Sequence, residues 1–311
     1  MAIASSRPPL ALIAGPTASG KSALALALAQ RCGGVVVNAD SAQVYRNLKV
    51  ISAAPGDQDL KRAEHRLYGV LDGSRPCSAA DWAAMAREQI KGVHAEGRLP
   101  ILVGGTGLYL RTLLDGIAPV PPIDPEVRRQ VRAAATADNC KRLAKLDPEA
   151  AQRLGPSDTT RIARALEVVL STGRPLAEWQ AKRDGGIGDS IELRPLILLP
   201  PRDWLYERCD ARFEAMIAAG AIAEVEALLE RGLDGDLPVM RAIGVPEIAA
   251  FLRGHMTREE MIASGRQATR RYAKRQYTWF AHQPPRDWPR FTKPLEGQAV
   301  AEALALLGAN G

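Results

Sequence analysis

GPTASGKS, Gly15–Ser22, is the stretch on which the reading of this chain turns. It follows an apolar run, Leu10 to Ala14, and leads into an alanine- and leucine-rich helical pattern from Lys21 to about Arg31. Strand, glycine-rich turn and helix in that order are the context of a P-loop, with both glycines, the lysine and the hydroxyl at the required spacing. The glycines let backbone N–H groups curl round adjacent phosphates at the positive end of a helix. Gly15, Pro16, Thr17, Ala18, Ser19 and Gly20 are therefore expected to form a diphosphate cradle, with Lys21 adding a cation. Ser22 is expected to hold a Mg²⁺ that bridges the phosphate oxygens. The loop recognises adjacent phosphates without specifying whose they are.

Outward from the loop, Gly34–Ala39 (GVVVNA) is a continuous apolar run of the kind a buried parallel strand shows, and it ends in DSAQVY, Asp40–Tyr45. The carboxyl ends of strands line the ligand crevice of a doubly wound sheet, which puts Asp40 beside the P-loop. A carboxylate there serves to hold Mg²⁺ through water, to accept a proton from a substrate, or to cap the following helix. HRLYGVLD, residues 65–72, reads as a short strand, and Ser78–Gly97 as a serine-capped helix stopped by glycine. Strand LPILV then reaches GGTGLYL, Gly104–Leu110, and sets Thr106 on the same rim as Lys21 and Asp40.

Four prolines in PVPPIDPE, Pro119–Glu126, mark a boundary. The segment beyond it, to about Arg183, is helical in pattern and basic, and IELRPLILLP, Ile191–Pro200, then supplies another sheet strand. The expected fold is α/β: a P-loop NTPase-like parallel sheet over residues 1–118, a helical basic insertion over 119–190, and the core resumed over 191–311 with basic C-terminal helices. Downstream, a long helix carries Arg208 and Arg212 four apart, hence on one face and expected at the diphosphate. An acidic helix, Ala221–Arg231, follows, and RAIGVPE, Arg241–Glu247, reads as a turn between helices. Over Ser264–Phe280, Arg266, Arg270 and Lys274 form one helical row and Arg271 and Arg275 a second. Such rows suit phosphate contacts, whereas Tyr272, Trp279 and Phe280 read as core anchors.

Charge is unevenly placed. Residues 128–183 carry 12 basic and 6 acidic groups, residues 184–240 carry 5 and 12, and residues 241–290 carry 10 and 4. Two basic segments embrace a polyanion better than a uniform surface does. Cys32, Cys77, Cys140 and Cys209 are far apart with no metal-ligand spacing, so free thiols are expected. No apolar run approaches the roughly 18 residues of a membrane span, and a cytoplasmic monomer is expected.

GPTASGKS, DSAQVYR, GGTGLYL, TRIARALEV and KRQYTWF, in that order, resemble the bacterial tRNA dimethylallyltransferase family, also called isopentenyl-diphosphate:tRNA transferases, over roughly residues 10–285. The resemblance implies transfer of the dimethylallyl group of dimethylallyl diphosphate to N6 of the adenosine just 3′ of a tRNA anticodon, with Mg²⁺. It implies that Asp40 takes the amine proton, that Thr106 hydrogen-bonds near the reacting centre, and that Lys21 serves the leaving diphosphate. It also implies tRNA contacts from Asp40, Ser41, Ala42, Gln43 and Thr106, from Arg128, and from Thr160, Arg161, Ile162, Ala163 and Arg164. Arg241, Ala242, Ile243, Gly244, Val245 and Pro246, and Lys274, Arg275, Gln276, Tyr277, Thr278, Trp279, Phe280 and Ala281, complete that set. Val245 and Pro246 depart from the aromatic and basic residues many members carry there.

Two other readings share the loop. A P-loop kinase or nucleic-acid-dependent ATPase is disfavoured because PILVGGT ends without a Walker-B carboxylate. A prenyltransferase for free adenine nucleotides needs neither the basic insertion nor the arginine rows.

Overall fold

The computed structural model describes residues 7–308, which form two compact units. The larger comprises the chain up to Leu113 and from Gly188 onward, and the smaller is Leu114–Ile187. The chain begins with β1 (Pro9–Ala14), α1 (Lys21–Cys32), β2 (Val35–Asn38), α2 (Asp57–Arg62), β3 (Glu64–Arg66), α3 (Ala79–Ala95), β4 (Pro100–Gly104) and α4 (Gly107–Asp115). The smaller unit holds α5 (Pro125–Ala133), α6 (Thr136–Leu146), α7 (Pro148–Arg153), α8 (Thr159–Thr172) and α9 (Leu176–Gln180). The larger resumes with β5 (Glu192–Leu198), α10 (Arg202–Ala218), α11 (Ala221–Leu229), α12 (Val245–Leu252), α13 (Arg258–His282), β6 (Arg290–Phe291) and α14 (Gln298–Leu306).

The strands form one sheet in the order β3-β2-β4-β1-β5-β6, with every neighbouring pair parallel. Ala11 and Ile13 of β1 pack with Leu24 and Leu28 of α1 and with Leu304 of α14. Leu10 and Leu12 alternate to the opposite face and are equally buried. Burial on both faces is why these strands read as unbroken apolar runs. In register, Ala14 pairs with Gly104 and Asn38 with Val103, so the turns after β1, β2 and β4 emerge at one edge of the sheet. α3 begins on a reciprocal cap: the Ser78 hydroxyl accepts from Asp81 N–H, and the Asp81 carboxylate accepts from Ser78 N–H.

Two local expectations are corrected. The strand expected over residues 65–72 is Glu64–Arg66, because Leu67 takes a left-handed φ of +64° that ends the pairing. RAIGVPE is not one turn: Arg241 closes a 3₁₀ turn from Pro238, and Val245 already opens α12. Pro246 sits in the first turn of α12, where a missing N–H breaks no helical bond. The arginine-rich helix starts at Arg258, capped by Thr257 and Glu260, well before Ser264.

In the smaller unit, Val131 of α5, Leu143 of α6, Ala150 of α7 and Ile162 and Leu166 of α8 share one apolar core. Its two ends meet: Ile117 and Asp184 exchange backbone hydrogen bonds of 3.0 Å each way.

Candidate active site

The loop between β1 and α1 is held tightly. Gly15 enters it at φ +151°, and a Cβ there would lie 2.5 Å from the Leu198 carbonyl oxygen. Ala18 is left-handed at φ +62°, which costs an L-residue about 1–2 kcal/mol. Lys21 Nζ donates to Pro16 O at 2.6 Å, folding the lysine back over the loop. Lys21 is half-buried, and burial pushes its amine down to about 7; Asp40 opposes that fall and Arg212 adds to it. Ser22 lies exposed in the first turn of α1. Arg208 Nε donates to Ala18 O at 3.1 Å, and burial pushes the Arg212 guanidinium down while the nearby Asp40 charge raises it. Arg208 of α10 therefore stands at the loop, and Arg212 lines the same cavity as Thr17 and Asp40.

Asn38, buried at the end of β2, fixes Asp40. Its Oδ1 accepts from Asp40 N–H at 2.8 Å, and its Nδ2 donates to Asp40 O and to Leu67 O, each at 3.0 Å. Asp40 Oδ1 in turn accepts from Ala42 N–H at 2.9 Å, leaving the carboxylate half-exposed toward the loop. Thr106 Oγ1 accepts from Ser41 N–H at 3.0 Å and donates to Ser41 Oγ at 3.3 Å. The turns after β2 and β4 are thereby tied together. Asn38 was not singled out from sequence, although a lone amide closing an all-valine strand was its signal.

Gln276 of α13 is the tie between this rim and the loop. Its Oε1 accepts from Thr17 N–H and its Nε2 donates to Gly105 O, both at 2.8 Å. A Cβ on Gly105 would collide with that amide, and one on Gly107 would meet the Trp279 ring, so the glycines of GGTG admit α13. Gln276→Leu leaves Thr17 N–H and Gly105 O without partners and is expected to cost about 2–4 kcal/mol. Thermal unfolding and the affinity for inorganic diphosphate are the readouts, and both should fall.

Above these turns opens a cavity of about 290 Å³. Asp40, Ser41, Thr17 and Arg212 give it polar walls; Ile51, Phe213, Met216 and Tyr272 give it apolar ones. Tyr45, Cys77 and Tyr109 complete one side, and burial pushes the Tyr45 phenol up to about 12. Tyr272, read as a core anchor, instead lines this space, and burial next to Asp40 raises its phenol further. The signal for Phe213 and Met216 was available: both neighbour Arg212 on α10, Met216 one turn along the same face.

The residues expected at tRNA separate by exposure. Arg128, Thr160, Arg161, Arg241, Pro246, Lys274, Arg275 and Thr278 are exposed. Asp40, Ser41, Ala42, Thr106, Ala163, Arg164, Ala242, Ile243, Tyr277, Trp279 and Ala281 are half-buried. Gln43, Ile162, Gly244, Val245, Gln276 and Phe280 are buried. Gln43 donates to Ser52 O and Ala53 O at 3.0 Å each, and Phe280 is wholly enclosed. The arginine rows are corrected too: Arg266 pairs with Glu214, and Arg270 with Asp210 at 2.6 Å, so these two bind α10 rather than standing free for phosphate. Lys274, Arg271 and Arg275 remain exposed.

Fold and site together define a P-loop α/β protein with a half-apolar cavity walled by Thr17 of the loop, by Asp40 and by Ser41, to which Thr106 is bonded. Residues 43–283 match the sequence profile described as IPP transferase. A tRNA dimethylallyltransferase of Sphingopyxis alaskensis is 63% identical over 92% of this chain and 94% of its own, and one of Erythrobacter litoralis is 60% identical over 91% of each. The crystal structure of a full-length tRNA isopentenylpyrophosphate transferase from Bacillus halodurans superposes with a TM-score of 0.70 at 32% identity, covering 97% of this chain and 96% of that one. A eukaryotic dimethylallyltransferase captured acting on tRNA gives 0.74 at 27% identity over 88% of this chain and 69% of its own. The chain belongs to the IPP transferase family.

Proposed function

We propose that this protein transfers the dimethylallyl group of dimethylallyl diphosphate to N6 of the adenosine 3′ to a tRNA anticodon. The observation that carries the reading is that Asp40 and Arg212 wall one cavity together with Thr17 of the loop, while Lys21 and Arg208 bond the loop itself and Thr106 bonds Ser41 of the cavity wall, in a chain of this family. The diphosphate lies in the loop, where amide N–H groups, Lys21 and the two arginines stabilise the charge that grows as the allylic C–O bond breaks. The apolar walls formed by Ile51, Phe213 and Met216 keep water from the electron-poor carbon. The adenine amine enters from the opposite side, its base flipped out of the anticodon loop. As the C–N bond forms, Asp40 takes the amine proton, and Thr106 positions the reacting groups.

Ser22 offers one hard oxygen donor at the loop, which fits Mg²⁺, an ion commonly held by one or two protein oxygens together with substrate phosphates. When bound, it would neutralise charge on the leaving diphosphate. No helix among the described residues is long and apolar enough to cross a membrane. We read the protein as a cytoplasmic monomer, with Leu114–Ile187 as its tRNA-binding insertion.

Incubation with labelled dimethylallyl diphosphate, Mg²⁺ and undermodified tRNA should yield labelled N6-prenyladenosine, and neither ATP hydrolysis nor prenylation of AMP. Labelled AMP alongside unlabelled tRNA would sink the reading.

The lowered Lys21 amine adds a pH prediction. Above about pH 7 the empty site holds a neutral lysine, whereas a bound diphosphate restores its proton. Binding of inorganic diphosphate at about pH 9 should therefore take up close to one proton more in the parent than in Lys21→Met, and at about pH 6 the two should differ little, the diphosphate's own protons cancelling in the comparison. Calorimetry in buffers of different ionisation enthalpy reads this directly.

A further inference from the structure

In the smaller unit, Glu167 of α8 is almost wholly buried, its side chain 1% exposed, yet it lies among arginines that reach solvent. Arg132 of α5 donates through Nε to Glu167 Oε1 at 2.9 Å. Arg128 Nε and Arg164 Nη1 face Oε2 at 3.9 and 4.0 Å, inside ion-pair range but too far for hydrogen bonds. Oε2 accordingly has no hydrogen-bond partner. The three arginines are 50%, 58% and 40% exposed and come from two helices. Burial and the charges of Arg128 and Arg132 pull the Arg164 guanidinium down, while Glu167 raises it.

A carboxylate placed only for stability would be expected to saturate its hydrogen bonds, because a buried oxygen without a partner is costly. Here one oxygen holds one arginine through a hydrogen bond, and the other lies within ion-pair range of two more without accepting from either. Without that charge, three guanidiniums packed this closely repel one another and scatter into solvent. We propose that Glu167 is a positioning residue: it gathers Arg128, Arg132 and Arg164 into one preformed anion clamp for the tRNA backbone. This rests on the reading above that tRNA is the substrate.

The test turns on sign. If Glu167 were merely a negative charge near a polyanion, its removal would tighten binding and steepen the salt dependence. As a positioning residue, Glu167→Gln should instead weaken binding of an undermodified tRNA transcript about tenfold and flatten the slope of log K against log salt by about one to two. Glu167→Asp keeps the charge but withdraws it by one methylene, and should weaken binding in the same direction. In both variants the loss should enter through the KM for tRNA, with kcat and the KM for dimethylallyl diphosphate held. If Glu167→Gln does not fold, the exposed Arg132→Met serves instead, and an unchanged salt slope there overturns the inference. A parent that binds tRNA while Glu167→Gln binds as tightly or tighter overturns this inference alone. A parent that does not bind tRNA overturns the functional reading, and the inference with it.

Discussion

Asp40→Asn is expected to lower turnover by about 10²–10⁴-fold while leaving tRNA affinity nearly unchanged. Asparagine is a sparing probe here. Its carbonyl oxygen can still accept from Ala42 N–H, and the bonds from Asn38 to the backbone of residue 40 do not involve the replaced side chain. The turn should keep its shape, so what is lost is the ability to take a proton. A second effect follows from charge: Asp40 is the group that holds the Lys21 amine up against burial. In the variant, the pH above which diphosphate binding takes up a proton should therefore move below that of the parent. Single-turnover assays with saturating tRNA measure the first effect, and buffer-dependent calorimetry the second. Turnover within tenfold of the parent would assign the proton to another group.

Lys21→Met is expected to produce opposite changes in activity and stability. Loss of one positively charged donor to the leaving diphosphate should reduce kcat/KM for dimethylallyl diphosphate by about 10²–10³-fold. Stability should rise. The fold lowers the lysine pKa from 10.5 to about 7, so it disfavours the ammonium form. That penalty is fully present below about pH 7, shrinks as pH rises, and vanishes above about pH 10.5, where the unfolded lysine is also neutral. The variant should melt above the parent at about pH 6, and the gap should close toward about pH 10. A variant that melts at or below the parent across this range would mean that the buried ammonium carries no such penalty.

Much of this molecule can be read locally, and the parts that cannot share a cause. The VVVN of β2 and PILVG of β4 announce parallel strands because both faces are covered. Ser78, Asp124 and Thr257 announce helix starts because each accepts backbone N–H groups within its own first turn. The P-loop, Asp40 and Thr106 share a rim because β2, β4 and β1, whose ends carry them, are neighbours in one parallel sheet. Gln276 is different: its bond to Thr17 spans 259 residues, and nothing in KRQYTWF distinguishes an amide facing RNA from one facing the core. Arg266 and Arg270 look free in a stretch without acids, yet Glu214 and Asp210 of α10, distant in sequence, neutralise them. Part of the contrast between the acidic segment 184–240 and the basic segment 241–290 is thus spent between α10 and α13. The edge strand fails for a simpler reason, since Leu67 adopts a backbone angle that its side chain gives no hint of.

The paired amides of Ile117 and Asp184 give the helical segment a single doorway: the chain goes out and comes back at neighbouring positions. A loop pinched at its neck can lengthen, shorten or be exchanged without shifting the register of any strand. Evolution is thereby free to retailor those five helices while the chemistry around the phosphate loop stays as it is.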